Sequence, residues 1–346
     1  MTVQEILLRY RTSFLERCGA QLSSEQRSAF NALAGCRQGQ YGDILWGCDH
    51  CTYAECTPCS CGHRACNQCQ QQTAEAWLQR QQQKQLPTPY FLVTFTLPHQ
   101  LRTLAQSHQR LIYDLLMRCA CDTLKTFAQN DKRLQGDIGQ CAVLHTHTRR
   151  LDYHPHVHVV VPGGSVHRQR REWRKVKRYL FNGKALAKVF RGCFLKALAA
   201  EGFKVHHSPQ RWIVQCQAVG QGVEALQYLA RYLYRGVISN KNILADDGRQ
   251  ITFRFRDSQT KTVKTRTLSG EDFIWLLLQH VLPKGFRRSR DYGFLHGNAK
   301  ALVRIIQWVF RIQPPVQKER RKIIKVCPCC QSVMKMISIR RNTAPG

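Results

Sequence analysis

The residues best equipped for chemistry in this chain form a short run, His154-Pro155-His156-Val157-His158-Val159-Val160-Val161, answered seventy residues later by Tyr228-Leu229-Ala230-Arg231-Tyr232. The first run alternates imidazole with valine, the period of a half-buried strand. His156 and His158 therefore point to one face, while Val157, Val159 and Val161 point to the other and can pack on a core. Two imidazoles fixed side by side on a strand make half of a metal site. The second run reads as helix, and tyrosines four residues apart emerge on one helix face. A metal that polarises a phosphodiester, set beside a pair of phenols, is the equipment for cutting a nucleic-acid strand through a covalent phosphotyrosine link.

A third imidazole has to come from elsewhere. His145 and His147 lie on the preceding strand candidate, Cys141 to Thr146 and just beyond, and His154 sits two residues before His156. Antiparallel pairing of that strand with His156–Val161 brings His145 to the pair, with His147 and His154 as near rivals. Imidazole ligands suit Mn²⁺ and its neighbours better than Mg²⁺, so the expected ion is Mn²⁺ or Mg²⁺ at a site that leaves room for phosphate oxygens. A phenol with a reference pKa of ~10 needs help to attack. The metal, with Arg231 and Arg235 on the tyrosine helix, can supply it by stabilising negative charge.

Cysteines form the other cluster of potential ligands. Of 17 in the chain, eight fall between Cys36 and Cys69 and three more at Cys327, Cys329 and Cys330. Cys48-x2-Cys51 and Cys66-x2-Cys69 are two knuckles at zinc-ribbon spacing, and they predict one closed, structural Zn²⁺ site with four thiolates. Cys36, Cys56, Cys59, Cys61, His50 and His63 stand by as alternative ligands or as a second set. Cys327-Pro328-Cys329-Cys330 is a half-knuckle with no evident partner. The remaining cysteines, such as Cys119 and Cys141, read as small buried hydrophobes.

These side chains need elements to hold them. Apolar residues at helical spacing from Val3 to Phe14 predict one or two leading helices. A Gln-rich helix over 70–85 is stopped at Leu86-Pro87-Thr88-Pro89, the best domain boundary. Tyr90 to Leu97 reads as a strand, 99–130 as a long helix, Ile251–Arg256 with Lys261–Leu268 as a hairpin, and Glu271–His280 and Ala299–Arg311 as helices. The pattern is α+β, with three consecutive segments: 1–86 helical and cysteine-rich, 87–298 bearing the histidines and tyrosines, and 299–346 a basic tail with the half-knuckle.

The formal net charge is +31, from 53 Lys and Arg against 22 Asp and Glu. An excess of that size points to a polyanion. It is densest over 168–191, where ten Lys or Arg face the single acid Glu172, with Trp173, Tyr179, Phe181 and Phe190 interleaved. Arg174, Lys175, Lys177 and Arg178 are thus expected on DNA, with the aromatics available for base stacking. No apolar run approaches the ~20 residues of a membrane span, and no basic-then-apolar leader opens the chain. The expected location is the bacterial cytoplasm, associated with the nucleoid, with no membrane partner. No GxxxxGK[ST] loop is present, which argues against a nucleotide cofactor.

Taken in order, Cys61-Gly62-His63-Arg64-Ala65-Cys66-Asn67-Gln68-Cys69, Trp77, Leu86-Pro87, Tyr90 to Pro98, His145-Thr146-His147, His154 to His158, Tyr228 to Arg235 with Ile238-Ser239-Asn240, and Leu282 to Phe286 resemble the two-tyrosine HUH transposases of the insertion sequence 91 family. HUH stands for His, bulky hydrophobic, His. The resemblance runs from about Cys36 to Asn298. It implies an N-terminal zinc-binding domain followed by an HUH nuclease domain, whose central antiparallel sheet is ferredoxin-like and flanked by helices. It also implies cleavage and rejoining of single-stranded DNA at element ends and target site through a 5′-phosphotyrosine, in rolling-circle transposition. His156 and His158 then take the place of metal ligands, His145 that of the third histidine, and Tyr228 and Tyr232 that of nucleophiles. Ala65, Tyr234 and Gln217 depart from the family pattern, which has histidine, histidine and lysine there. Two other readings fit the same residues: a nickase of plasmid replication or conjugation, and a decayed, zinc-dependent DNA-binding protein.

Overall fold

The computed structural model describes the chain apart from residues 168, 171, 177, 179, 206, 207, 235, 236, 258, 259, 316–323 and 343–346, and apart from the side chains of 231–234. In chain order its helices are α1 (Val3–Arg9), α2 (Arg11–Cys18), α3 (Ser24–Ala34), α4 (Gln71–Gln82), α5 (Arg102–Ser107), α6 (Gln109–Asn130), α7 (Gly183–Ala200), α8 (Val223–Tyr234), α9 (Gly270–Leu278) and α10 (Lys300–Val309). Its strands are β1 (Asp43–Cys48), β2 (Ala54–Pro58), β3 (Tyr90–Thr96), β4 (Asp137–His147), β5 (Tyr153–Pro162), β6 (Gly164–His167), β7 (Glu172–Lys175), β8 (Val214–Ala218), β9 (Ile243–Asp246), β10 (Gln250–Arg256), β11 (Val263–Ser269), β12 (Ser289–Gly293), β13 (Lys325–Val326) and β14 (Val333–Arg340). The fold is mixed α+β with antiparallel sheets, as expected.

The chain forms two compact units, each discontinuous in sequence: Met1–Thr73 with Tyr234–Val281 and Lys318–Gly346, and Ala74–Leu233 with Leu282–Gln317. These boundaries differ from the three consecutive segments expected, because the chain crosses between the units and its C-terminal strands pair with β1.

The first unit opens on short helices set by their caps. Thr2 and Glu5 close a capping box on α1, and Ser23 and Gln26 another on α3, each satisfying N–H groups the first turn leaves unpaired. The Tyr10 hydroxyl donates to buried Asp246 at 2.6 Å, and Arg9 pairs with the same carboxylate at 2.8 Å, tying α1 to β9. The hairpin β10–β11 forms at the place expected. A four-stranded sheet, in the order β13-β14-β1-β2, completes the unit.

The second unit is a seven-stranded sheet in the order β7-β6-β4-β5-β3-β8, with β12 on the same side of β4 as β6. Phe91, Val93 and Phe95 of β3 and Val157, Val159 and Val161 of β5 are fully buried on one face, where Leu116, Leu124, Phe190 and Phe194 of α6 and α7 join the same core. Phe95 meets Phe190 edge-on at 4.9 Å. This burial leaves the alternate residues, Thr94, His156 and His158 among them, on the opposite face. The long helical stretch after Pro98 breaks at His108, which separates α5 from α6.

Candidate active site

Strand register assembles the histidines. His145 of β4 lies opposite His156 of β5, Val143 lies opposite His158, and β3 sets Thr94 opposite His158 from the other side. Residues directly opposed in a ladder share a face, so His145, His156 and His158 converge. Their rings stand 4.4–5.2 Å apart, and one nitrogen from each lies within 4.8 Å of the others. The rivals are not brought in. The β4–β5 register slips between His145 and His147, which sets His147 opposite Tyr153. The slip falls beside Pro155, which has no N–H to give to the ladder. His154 is held instead by the Arg102 guanidinium, 2.5 Å from its Nδ1.

The triad has the chemistry of a metal site. His156 Nδ1 donates to the His154 carbonyl at 2.7 Å, and His158 Nδ1 meets Thr94 Oγ1 at 2.8 Å. Bonds of this kind fix a ring's tautomer and turn Nε2 toward a metal. Burial pushes the His156 imidazole down to about 4, and burial with the neighbouring rings pushes His145 and His158 well below the usual histidine range. All three are therefore neutral at physiological pH, the form that ligates. His156 alone of the three is partly open to solvent.

Tyr228 is the other half of the site. It rises from α8, and its ring stands edge-on to His158 with centroids 6.2 Å apart. The turn that aims α8 depends on Gly222, at φ +82, where a Cβ would sit 2.5 Å from the Tyr90 ring. Tyr90 in turn donates its N–H to Gly220 O and accepts from Val219 N–H, both at 2.8 Å. Tyr232 lies one turn further along α8, and its side chain, like that of Arg231, falls outside the described residues.

The cysteines divide differently from the expected arrangement. Cys36, Cys61, Cys66 and Cys69 converge in one group, and Cys48, Cys51, Cys327 and Cys330 in another. Cys48 and Cys51 thus do not meet Cys66 and Cys69. Each knuckle finds its other half elsewhere, because the sheet β13-β14-β1-β2 carries the C-terminal half-knuckle to the turn after β1. In the first group Cys69 lies 3.5 Å from Cys36 and 3.6 Å from Cys61, and Cys66 lies 3.7 Å from Cys36. Those spacings approach the ~3.8 Å edge of a tetrahedron built on Zn–S bonds of about 2.3 Å.

Comparison with known proteins agrees with this anatomy. Residues 6–97 match the family described as "Transposase zinc-binding domain" (Zn_Tnp_IS91), and residues 139–302 match "Putative transposase" (Y2_Tnp). The chain is 34% identical over 318 residues to the "Putative transposase y4qJ" of Sinorhizobium fredii (strain NBRC 101917 / NGR234), covering 85% of this chain and 80% of that one. It belongs to the insertion sequence 91 family of transposases. A second member, the transposase for insertion sequence element IS801 of Pseudomonas savastanoi pv. phaseolicola, is 29% identical over 267 residues, 72% of this chain and 63% of that transposase, less than two thirds of its length. Among solved structures, the conjugative relaxase TrwC, in a metal-free complex with OriT DNA, aligns at 13% identity with a TM-score of 0.28, over 65% of this chain and 73% of the relaxase.

Part of the transposase's basic segment is engaged within the fold. Arg174 of β7 is engaged, 2.8 Å from Gln135 Oε1 and 3.5 Å from Glu172. Trp173 packs edge-on against Phe294 and Phe310, and Phe181 and Phe190 are core residues. Of the four aromatics expected to stack on bases, these three are thus packing groups, and Tyr179 lies outside the described residues. Lys175 and Arg178 are exposed, while Lys177 and Arg235 lie outside the described residues. Sequence reasoning missed Thr94 and Arg102, which hold His158 and His154. Strand alternation, carried from β5 to its neighbour β3, is the signal that points to Thr94. Among the described residues, no helix is long and apolar enough to cross a membrane.

Proposed function

We propose that this transposase cuts and rejoins single-stranded DNA at the ends of its element and at the target through Tyr228 and Tyr232, by way of a 5′-phosphotyrosine. The observation that carries the reading is the position of the Tyr228 ring beside His158, within a cluster of three neutral histidines of which His156 is partly open to solvent. His145, His156 and His158 would hold a divalent cation, Mn²⁺ or Mg²⁺, which supplies Lewis acidity to the scissile phosphate. The Tyr228 oxygen attacks phosphorus and gives up its proton. The bond from phosphorus to the 3′-oxygen breaks, and that oxygen leaves as a free 3′-hydroxyl after taking up a proton. Phosphodiester energy is kept in the tyrosyl ester, so attack by another 3′-hydroxyl rejoins the strand without a nucleotide cofactor. Tyr232, one helical turn on, provides a second nucleophile while the first end is still attached. Exposed Lys175 and Arg178, with the excess positive charge of the chain, favour a phosphate backbone.

Single-stranded oligonucleotides tiled across both flanks of the gene, incubated with the protein and Mn²⁺ and run on a denaturing gel, test the proposal. A metal-dependent, protein-linked DNA band that disappears when both tyrosines become phenylalanine is expected. Persistence of the band in that double variant sinks the tyrosine assignment.

A further inference from the structure

We propose that Cys48, Cys51, Cys327 and Cys330 form a second tetrathiolate zinc site, in which the C-terminal half-knuckle completes a zinc ribbon begun near the N-terminus. The proposal goes beyond the nuclease reading and does not depend on it. The matched zinc-binding domain ends at residue 97, so it contains no more than two of these ligands.

Topology makes the ribbon. Cys48 and Cys51 bracket the turn that leads from β1 to β2, and Cys327 and Cys330 bracket the turn from β13 to β14. β1 and β14 are antiparallel neighbours at the centre of the sheet, with Cys48 opposite Met334, so both turns fall at one end. The knuckles show the backbone bonds that such turns need. The His50 N–H reaches Cys48 Sγ at 3.4 Å, the Cys327 N–H donates to the Ser332 carbonyl at 2.8 Å, and the Cys327 carbonyl accepts from the Gln331 N–H at 2.9 Å.

Sulfur spacing selects a metal over other occupants. All four Sγ atoms lie within 4.8 Å of one another, with Cys48 to Cys330 at 3.3 Å and Cys51 to Cys327 at 3.6 Å. Both spacings exceed a disulfide bond of about 2.05 Å and approach the ~3.8 Å edge of a ZnS₄ tetrahedron. Four convergent sulfurs on a borderline-soft tetrahedral ion are the preference of Zn²⁺ over harder cations.

Among the described residues, the sheet's apolar core is small. Its buried core is Trp46, Cys327 and Met334, with Ile44, Cys48, Cys51 and Tyr53 against it. Val333, Ile337 and Ile339 are exposed. A core that small commonly needs a supplement to burial, such as a structural metal. Lys325 of β13 pairs with Glu55 of β2 at 2.8 Å, and Lys335 of β14 pairs with Asp49 after β1, so ion pairs also join the two hairpins. Gly42, at φ +90, lets β14 close on the start of β1, since a Cβ there would sit 1.9 Å from the Arg340 carbonyl oxygen. The ribbon thus clasps the two ends of the chain into one unit.

Replacement of bound metal by Co²⁺ in the full-length protein, prepared under reducing conditions, reads tetrathiolate sites through sulfur-to-cobalt charge-transfer absorption, to which a histidine site contributes nothing. Two such sites per chain are expected. Cys48→Ser with Cys51→Ser should leave one, Cys327→Ser with Cys330→Ser should leave one, and all four changes together should still leave one, held by Cys36, Cys61, Cys66 and Cys69. That remaining site reports that each variant has folded. Cys329→Ser, next to the knuckle but outside the cluster, should leave two. A single site in the unaltered protein overturns the proposal, as does retention of two after loss of Cys327 and Cys330. Disulfides linking these four cysteines under the same conditions overturn it equally.

Discussion

Thr94→Val should weaken Mn²⁺ binding by roughly ten- to a hundredfold while leaving the fold in place. Thr94 Oγ1 stands 2.8 Å from His158 Nδ1, and His158 is 8% exposed, so no water readily takes the hydroxyl's role. Valine keeps the shape and removes only the polar atom. The imidazole then loses the bond that fixes its tautomer and aims Nε2. Outer partners of this kind typically contribute a factor of 10–100 in metal affinity, which is about 1.4–2.8 kcal/mol at 1.4 per tenfold. The buried Nδ1 left without its bond costs about 1–3 kcal/mol of folding stability, less than would unfold an ordinary domain. Titration calorimetry with Mn²⁺ on metal-stripped protein reads the affinity, and a thermal melt reads the fold. Thr94→Ser restores the hydroxyl and should recover most of the binding. Wild-type affinity in the folded valine variant would refute the reasoning, and so would a serine variant as weak as the valine one.

Other consequences can be measured alongside. Gly222→Val forces a β-branched residue to φ +82 and into the Tyr90 ring. It should disturb the turn before α8 and lower adduct formation at least tenfold while Mn²⁺ affinity stays within twofold, and equal loss of both would contradict the separation of roles. In metal-free protein, His154 and His156 are pushed down to about 4, mainly by burial, against about 6.5 in an unfolded chain. Unfolding then takes up protons, so the stability these rings contribute is full above about 6.5 and is lost as pH falls toward 4. Urea midpoints at pH 7 and pH 5 should fall accordingly, by less in His154→Gln, and an unchanged midpoint counts against buried neutral rings. Phe190→Ala removes the ring that meets Phe95 edge-on in the core and should cost about 3–5 kcal/mol in denaturant unfolding, whereas a cost below 1 kcal/mol would mean this core is not packed as described.

The sequence exposed the parts of this molecule whose signal is local. Alternation along 154–161 revealed the strand, its histidine face and its core face, because a strand's period is fixed at two. The spacing of Tyr228 and Tyr232 placed both on α8 for the equivalent helical reason. What the sequence hid depends on distant pairing. Cys48 and Cys66 are near in the chain, yet Cys48 finds its partner 282 residues away at Cys330, since ligand grouping follows strand order rather than spacing. The choice among His145, His147 and His154 rests on a register slip beside Pro155, which no count of residues supplies. The packing of Trp173 was hidden for another reason. Charge and aromatic content are visible in a sequence, but whether a ring faces a base or a core is decided by what packs on it, here Phe294 and Phe310.

The most direct measurement of the central claim is the identity of the residue that carries the DNA. Protein–DNA adducts formed with Mn²⁺ on an oligonucleotide from the element's end would be digested with protease and nuclease, and the nucleotide-bearing peptide sequenced by tandem mass spectrometry. A phosphodiester on the phenolic oxygen of Tyr228 or Tyr232 is expected, absent after chelation and absent in the His156→Ala variant. A nucleotide on any other residue, or adducts that survive loss of His156 and the metal, would contradict that claim.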